Sequence, residues 1–267
     1  MCAALSLERS SGRCAAARRR VTSMSHRANS AHLGSSLSCI EILDMVYSCA
    51  DITAENAAAA LRDRVVFSKG HAAMAVYATL EQHGLIDPAH LDVYLQPDTA
   101  LWGHVTRTPH VPALDASTGS LGHGLSLALG FCMAHRLRKR PELSTFCILS
   151  DGECDEGSTW EAAMFAGARG FDSLTAIVDY NHIQSLAPTR EVMDLEPFAD
   201  KWRSFGWEAC EVNGHDAAAL HTELTRSRAG KPRVILAHTV KGKGIPRIEN
   251  TVASHYKPAL ACDLTEA

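Results

Sequence analysis

Residues 145–184 read TFCILSDGECDEGSTWEAAMFAGARGFDSLTAIVDYNHIQ, and this stretch predicts the fold. Residues 145–149 form a short apolar, partly β-branched run, which predicts a buried parallel strand that ends at Ser150. Small and apolar residues then recur at helical spacing over 158–171, and a second β-rich run follows at 174–178. A strand, a helix and a strand in this order predict a right-handed crossover, and therefore an α/β fold with a parallel β-sheet flanked by helices.

Two polar side chains follow the two predicted strands. Asp151 comes directly after the first strand, and Asn181 follows the second. Because ligands of such sheets collect beyond the carboxyl ends of the strands, we expect these side chains to face each other there. One charged and one neutral oxygen donor suit Mg²⁺ or Ca²⁺ rather than zinc, and a backbone carbonyl such as that of Ile183 would complete the metal site if a diphosphate supplied the rest. Gly152 would let the backbone approach that diphosphate, although an Asp-Gly turn and a loop asparagine are also common turn residues.

Residues 150–184 as a whole resemble the thiamine-diphosphate signature of the transketolase family. That signature opens with glycine-aspartate-glycine, continues with glutamate-glycine, and closes with aspartate-x-asparagine-x-isoleucine. The matching segments here are residues 150–152, 156–157 and 179–183. Ser150 stands where the family usually has its first glycine, which affects the expected backbone angle of the loop but leaves the metal-binding positions in place. The resemblance implies thiamine diphosphate as the cofactor, with Mg²⁺ as the metal and Ca²⁺ as a substitute.

Four histidine segments occur in the order in which the transketolase family has them. His32 opens the segment HLGSSLS, His71 closes SKGH, His104 follows a glycine, and His255 follows a serine. The resemblance implies that all four are catalytic residues in the substrate funnel, with His71 and His255 also at the cofactor; imidazole moves protons near neutral pH. Among fourteen histidines many are surface or hydrogen-bonded structural residues, and we interpret six in this way: His26, His83, His90, His135, His182 and His221. The sequence leaves four undecided: His110, His123, His215 and His238.

A glycine-rich turn extends the resemblance to residues without reactive groups. Residues 117–124, STGSLGHG, resemble the family's turn that faces the aminopyrimidine of the cofactor. They also precede a predicted helix at 125–134, so the glycines serve equally well as a helix entry. Glu156 likewise has a second interpretation, because a carboxylate at a helix start is favoured by the macrodipole. The residues for which the resemblance implies cofactor contacts, besides the two histidines, are Gly119, Ser120, Leu121, Asp151, Gly152, Glu153, Glu156 and Asn181.

The resemblance runs from about Arg20 to Pro258 and matches the diphosphate-binding domain of the family. We therefore expect residues 1–267 to form a single domain with a helical N-terminal segment over about residues 1–50. In the family, a pyrimidine-binding domain with the cofactor-activating glutamate follows, and then a C-terminal domain. The chain ends at Ala267, before both, so we expect them on a separate C-terminal transketolase subunit in an α2β2 assembly.

The implied activity is that of the N-terminal subunit of a transketolase, active only with its partner. Such an enzyme transfers a two-carbon ketol unit from a ketose, expected to be phosphorylated, to an aldose. Two alternatives stay open: a diphosphate-binding subunit of a 2-oxoacid decarboxylase or dehydrogenase, and a non-catalytic partner subunit. The four motif histidines argue against the first, and the intact metal positions against the second. A pentose phosphate, a sulfonated sugar and another specialised sugar all remain candidate substrates.

Composition is that of a globular α/β chain. The sequence has 267 residues, of which 46% are hydrophobic and 21% charged, and its net charge of −4 provides no broad basic surface for nucleic acid. Arg18–Arg20 and residues 136–140 are local basic clusters that we interpret as solvated helix ends. No apolar stretch approaches the length of a membrane span, and the nine cysteines show no paired C-x-x-C motif, so we expect neither a membrane nor a disulfide framework and favour the cytoplasm.

The two ends of the chain carry weaker signals. Residues 1–20 are rich in alanine, serine and arginine like a targeting peptide, but they contain Glu8 and lack a clear cleavage signal. The resemblance to the transketolase family, whose chains open with an amphipathic helix, implies such a helix here. After the loop that contains Asn181 we predict a helix near residues 197–205 and a strand at 208–212. A helix capped by Asp216 and a last strand at 233–238 follow. The roles of the two lysines in the following segment, Lys241 and Lys243, are undecided.

Overall fold

The residues that the structure describes contain five strands, which form one sheet in the order β1-β2-β3-β5-β4, and each neighbouring pair is parallel. The structure is a computed structural model that describes residues 2–266, with side chains from residue 7 onward, so Met1 and Ala267 lie outside the described residues. The strands are β1 (Arg64–Phe67), β2 (Thr145–Ser150), β3 (Leu174–Tyr180), β4 (Glu208–Asn213) and β5 (Arg233–His238). The predicted α/β fold is confirmed, and only the short strand β1 was not predicted.

Helices cover both faces of this sheet. They are α1 (Cys2–Ala28), α2 (Leu33–Leu37), α3 (Ile40–Cys49), α4 (Ala73–Gln82), α5 (Pro88–Asp92), α6 (Gly124–Leu137), α7 (Gly157–Ala168), α8 (Thr189–Val192), α9 (Phe198–Ser204) and α10 (Ala217–Thr225). Short 3₁₀ turns occur at Gly70–Ala72, Gly152–Asp155, Val252–His255 and Ala261–Thr265.

Strand β2 shows why the sheet is buried on both sides. Successive side chains of a strand point to opposite faces. Phe146 and Ile148 belong to the hydrophobic cluster that also contains residues of α1, α3 and α4. Cys147 and Leu149 belong to a second cluster with residues of α6, α7 and α9. The continuous apolar run of the sequence therefore reflects a strand between two helical layers, which is typical of parallel sheets.

The long helix α1 packs through one face. Cys14, Ala17, Val21 and Met24 are buried, and their spacing of three and four residues places them along one stripe of the helix. This stripe belongs to the same hydrophobic cluster as α3 and α4. The described part of residues 1–20 is thus helical, with an apolar face turned towards the protein.

The interpretation of Arg18–Arg20 as a solvated helix end is wrong for two of the three residues. Helix α1 continues to Ala28, so these arginines lie inside it. Arg18 Nη2 lies 2.7 Å from Glu41 Oε1, and Arg20 forms an ion pair with Glu81. The acids come from α3 and α4, so the basic cluster ties α1 to its neighbours, while Arg19 stays exposed.

Among residues 2–266, no helix combines the length and the apolar character that a membrane crossing requires.

Candidate active site

A cleft of about 210 Å³ lies at the edge of the sheet where β2 and β3 end. This is the carboxyl edge, where the sequence predicted a ligand site. The cleft is lined by His32, Ser35, Lys69, His71, Gly119, Leu121, Ser150, Asp151, Gly152, Asn181, Ile183, Gln184, Ser185, Lys241, His255 and Tyr256.

Backbone hydrogen bonds hold the separate motif segments together. His32 N donates to His255 O at 2.8 Å, which joins the first and last histidine segments. Val105 N donates to Gly70 O at 3.0 Å, and Thr118 N donates to Val105 O at 2.9 Å. The segments that carry His71, His104 and the glycine-rich turn are therefore fixed side by side. A Cβ on Gly70 would lie 2.4 Å from Thr118 O, so this approach requires glycine at position 70.

The four predicted catalytic histidines converge. The ring centroid of His32 lies 5.2 Å from that of His71, 5.8 Å from that of His104 and 5.2 Å from that of His255. His71 and His255 are 5.5 Å apart. His104 is exposed and lies at the rim, whereas the other three line the cleft. His32 also has a φ of 67°, in the left-handed region, a strained backbone of the kind that clusters at functional sites.

Burial keeps three of these imidazoles neutral at pH 7. Desolvation, together with His104 and Lys241, lowers the pKa of His32 to about 4. Desolvation and Lys241 lower the pKa of His255 to about 3, and burial beside Lys69 holds the pKa of His71 well below its ordinary value. Each ring therefore offers one N–H donor and one nitrogen acceptor, and is able to take a proton when a negative group lies nearby.

These lowered pKa values predict that the chain loses stability in mild acid. Unfolded histidines take up protons as the pH falls below about 6.5, whereas the folded rings do not until much lower pH. The free energy of unfolding should thus fall between pH 6.5 and 4, by up to about 1.4 kcal/mol per pH unit for each such proton. Urea unfolding at a series of pH values measures this slope. His255→Gln should make it shallower, and the exposed control His110→Gln should not; equal slopes in both variants would contradict the explanation.

Asp151 is the buried acid of the cleft. One carboxylate oxygen accepts from Gly152 N at 2.8 Å and the other from His182 N at 2.7 Å. Burial raises the pKa of Asp151 to about 6, and the neighbouring Asp179 carboxylate adds to the shift. A bound cation would offset both effects, because it favours the ionised carboxylate. The acid is thus held in a fixed orientation at a position that gains from positive charge.

The other oxygen donors come from the segment after β3. Asn181 Oδ1 accepts from Ile183 N at 3.2 Å, and Ile183 O accepts from Lys241 Nζ at 2.8 Å. A carbonyl oxygen has two lone pairs, so each of these bonds leaves one for another partner. Carboxylate, amide and backbone oxygens in one cleft are the donor set of a hard divalent cation. The residues present therefore fit a Mg²⁺ or Ca²⁺ site.

Beneath the cleft lies a buried ion pair that sequence reasoning missed. Lys69 Nζ pairs with Asp179 and also donates to Ser35 O at 3.0 Å; both charged side chains are about 99% buried or more. Burial by itself would raise the pKa of Asp179. The Lys69 ammonium and the hydroxyls of Ser38 and Thr239 lower that pKa by more, so it lies below its ordinary value. Asp179 Oδ2 in turn accepts from Asn181 Nδ2 at 3.4 Å. The pair thus supports the asparagine from below.

Ser150 causes no backbone strain at the position of the family's glycine. It is the last residue of β2 and is not among the described residues with positive φ. Its hydroxyl accepts from Glu153 N at 3.2 Å, inside the turn that follows the strand. The departure from the signature is therefore accommodated, because the serine supplies a turn-stabilising acceptor.

Three residues with predicted cofactor contacts do not line the cleft. Ser120 and Glu156 are exposed. Glu153 is buried below the surface, where its Oε1 accepts from Gly122 N at 2.8 Å and from Ser68. Glu153 therefore positions the glycine-rich turn rather than contacting the cleft. The sequence indicated Glu153 only as one of the acidic residues that follow β2, and it did not indicate the hydrogen bond to Gly122.

The remaining histidines lie outside the cleft. His215 bonds Glu41 at 3.0 Å and accepts from Val240 N, and His83 bonds Asp44 at 2.9 Å. His238 lies 2.8 Å from Glu211. His135 contradicts its interpretation as a surface or hydrogen-bonded residue, because it is 3% exposed and neither ring nitrogen has a hydrogen-bond partner among the described residues.

Several lining residues were not predicted. Lys241 is 1% exposed and lies between Ile183 O and His255 Nδ1, whereas Lys243 does not line the cleft. Burial lowers the pKa of Lys241 to about 8. Its position in a glycine-rich segment was the available signal, but only the tertiary contact distinguishes the two lysines. Other lining residues that were not predicted are Ser35, Lys69, Ser150, Gln184, Ser185 and Tyr256.

The fold and the cleft together define an α/β domain with a polar, histidine-lined cleft at the carboxyl edge of a parallel sheet, where sheets of this kind bind ligands. Comparison with known proteins gives the particular family. Residues 12–266 match the family model described as transketolase, thiamine diphosphate binding domain. The chain therefore belongs to the transketolase family.

Individual relatives agree with this assignment. The chain is 42% identical over 227 residues to the 6-deoxy-6-sulfo-D-fructose transketolase subunit SqwG of Clostridium sp. (strain MSTE9), covering 84% of this chain and 82% of that protein. It is 35% identical over 254 residues to one of the apulose-4-phosphate transketolase subunits, from Phocaeicola vulgatus, covering 94% and 89%. The solved transketolase of Campylobacter jejuni superposes with a TM-score of 0.84 at 27% identity. That superposition covers 94% of this chain but only 40% of the Campylobacter chain.

Proposed function

We propose that this chain is the N-terminal subunit of a thiamine-diphosphate- and Mg²⁺-dependent transketolase that acts together with a separate C-terminal subunit. The enzyme would transfer a two-carbon ketol unit from a ketose to an aldose. The observation that carries the proposal is the convergence of the motif histidines and the oxygen donors on one cleft. His32, His71 and His255 share that cleft with Asp151 and Asn181.

The residues of the cleft divide into a metal part and a cofactor part. Asp151, Asn181 and the carbonyl of Ile183 would hold Mg²⁺. Lys241 and His71 would contact the diphosphate, where the ammonium supplies positive charge and the imidazole a hydrogen-bond donor. Gly119 and Leu121 would lie against the pyrimidine ring. A Cβ on Gly119 would come within 3.1 Å of the His104 ring, so the turn approaches the histidines closely.

Thiamine diphosphate supplies carbanion stabilisation in such enzymes, and the protein supplies binding, orientation and proton transfer. The neutral ring of His32 is suited to accept a proton from a sugar hydroxyl, and the ring of His255 to donate a hydrogen bond to a carbonyl oxygen. Lys241 Nζ lies 3.2 Å from His255 Nδ1 and holds that nitrogen as an acceptor, so the opposite nitrogen carries the ring proton towards the cleft.

The size of the cleft and the names of the relatives support a separate partner. At about 210 Å³ the cleft is smaller than the roughly 300–1,000 Å³ of complete small-molecule sites. Ser120 and Glu156 are exposed, and we propose that a second chain covers them. Both relatives described above are named as subunits. We propose that the pyrimidine-binding and C-terminal domains lie on the partner, in an assembly of two copies of each chain located in the cytoplasm.

Reconstitution tests the proposal. The chain is co-purified with a candidate pyrimidine-binding subunit, and thiamine diphosphate is titrated by calorimetry with and without Mg²⁺. We expect saturable binding that needs both chains and the metal, followed by ketol transfer in a coupled sugar assay. Binding with 2-oxoacid decarboxylation instead of ketol transfer would support the other enzyme class. Failure of the assembled pair to bind cofactor would indicate a non-catalytic subunit.

The substrate class is an anionic ketose in our proposal. By their names, the two relatives described above act on a sulfonated sugar and on a phosphorylated sugar, respectively. The same assay should therefore compare 6-deoxy-6-sulfo-D-fructose with fructose 6-phosphate as donors. Turnover of an uncharged ketose at the same rate as both anionic donors would contradict the proposed class.

A further inference from the structure

A second cavity, of about 770 Å³, is lined by none of the residues that line the cleft. Arg64, which lines it, is the first residue of β1, whereas the cleft lies at the carboxyl ends of the strands. The other walls are the segment of residues 57–60, the loop of residues 107–115 and the end of α6. Its volume falls in the range of about 300–1,000 Å³ that small-molecule sites occupy.

The cavity carries an excess of positive charge. Asp115 is the acid on its wall, and two guanidinium groups already neutralise it: Arg62 at 2.9 Å and Arg64 at 2.6 Å. Val65 N also donates to Asp115 at 2.9 Å. Arg107 and Arg138 add two more guanidinium groups, and neither side chain forms a hydrogen bond or ion pair with the described residues. This excess of positive charge favours an anionic ligand.

His135 is the second, independent indication of a ligand. It lines the cavity and is 3% exposed, yet neither Nδ1 nor Nε2 has a hydrogen-bond partner among the described residues. Arg64 Nε, on the same wall, is also buried, with no hydrogen-bond partner in the described part of the chain. Leaving a buried polar group unpaired costs about 1–3 kcal/mol, so these groups need a partner, which a bound ligand or an ordered water supplies. Burial and the charge of Arg64 lower the pKa of His135, so the ring keeps both a donor and an acceptor.

The rest of the wall is apolar. The segment of residues 57–60 consists of four alanines, and Phe131 stands beside the guanidinium of Arg64, whose carbon lies 5.4 Å from the ring centroid. Pro109 and Pro112 come from the facing loop. A ligand that fills this cavity therefore needs an apolar body as well as a charged head.

We propose that this cavity is a second ligand site, which binds a small organic phosphate. Arg107 and Arg138 hold the phosphate, with hydrogen bonds from His135 and Arg64 Nε, and Phe131 contacts the apolar body. Guanidinium groups suit phosphate because they present fixed pairs of donors to its oxygens. The site shares no residue with the cleft, so the proposal does not depend on the proposed transketolase function.

Calorimetry on the full chain tests this site with two probes, inorganic phosphate and phenyl phosphate. Phenyl phosphate should bind at one site and about tenfold more tightly than phosphate, because its ring buries apolar surface. Arg138→Ala and Arg107→Ala should each weaken it by about tenfold to a hundredfold. Arg140→Ala is the matched control, since that side chain pairs with Glu142 and does not line the cavity. Absence of saturable binding at millimolar phenyl phosphate would overturn the proposal.

A variant of the cleft separates the two anion sites. Lys241→Ala removes a cation from the cleft, and it should leave phenyl phosphate binding unchanged. If that variant abolishes binding while Arg138→Ala does not, the anion binds in the cleft and the second site is wrong. His135→Leu should weaken phenyl phosphate without lowering the free energy of unfolding, because it replaces an unpaired buried ring by an apolar side chain. Unchanged affinity in His135→Leu would remove that residue from the site.

Discussion

Replacing Asp151 by alanine is expected to lower the affinity of the reconstituted enzyme for thiamine diphosphate at least about a hundredfold in the presence of Mg²⁺. The reason is that the substitution removes the only carboxylate among the proposed metal donors, which are otherwise an amide and a backbone carbonyl. It also releases Gly152 N and His182 N, which donate to the two carboxylate oxygens and set the turn. Asn181→Ala removes a neutral donor and should have a smaller effect in the same direction.

The measurement is a calorimetric titration of the assembled pair, with and without Mg²⁺. Asp200→Ala is a matched control, because that aspartate is exposed and pairs with Arg203 on the same helix, at 2.8 Å. The control should keep full affinity and full metal dependence. Mg²⁺-dependent affinity that is equal in Asp151→Ala and in the control would refute the proposed metal site. Circular dichroism of each variant checks that the chain remains folded.

Replacing Lys69 by methionine is expected to lower the free energy of unfolding by about 3–5 kcal/mol, because it leaves the buried Asp179 carboxylate without its charge partner. Both side chains are about 99% buried or more, so water does not compensate the lost interaction. For a chain of this length such a loss lowers Tm by roughly 10 °C. Urea unfolding of the purified chain measures the effect directly.

A double-mutant cycle separates the ion pair from simple loss of packing. Lys69→Met with Asp179→Leu removes both charges and should recover much of the stability that the single variant loses. Arg203→Met is the surface control, since its pair with Asp200 is largely exposed and should contribute about 1 kcal/mol or less. If Lys69→Met costs no more than Arg203→Met, the pair does not stabilise the fold. Because Asp179 accepts from Asn181, the double variant should still bind cofactor more weakly than the parent enzyme.

Local sequence patterns were sufficient for most of the sheet. The predicted strands at 145–149, 174–178, 208–212 and 233–238 correspond to β2, β3, β4 and β5. Each is a short run whose composition indicates a strand, and β2, β3 and β5 are almost wholly buried. The strand β1 has only four residues, which is too short for a periodic signal. The family was also predicted correctly, because several motifs occur in one order and together are far more specific than any one of them.

The candidate site was predicted only in part, because patterns identify residues but not their distances. The histidine and acid motifs indicated His32, His71, Asp151 and Asn181, and all four line one cleft. Nothing in the sequence around Glu156 indicates whether it faces that cleft, and the structure leaves it exposed. The motif gives the position of Glu156 after the turn at Gly152–Asp155. Its exposure depends on the angle between that turn and helix α7.

By itself the sequence determined the parallel α/β fold, the family and the identity of the motif residues, since burial patterns and short motifs are local properties of the chain. The tertiary structure alone decided which charges meet. Lys69 forms an ion pair with Asp179, and Arg64 forms one with Asp115. Lys241 donates a hydrogen bond to Ile183 O, and in all three cases the partners are far apart in the sequence. It also left His135 buried without a partner among the described residues, beside a basic cavity. Electrostatic and hydrogen-bond energies depend on distance and burial in three dimensions, and these exist only once the chain has folded.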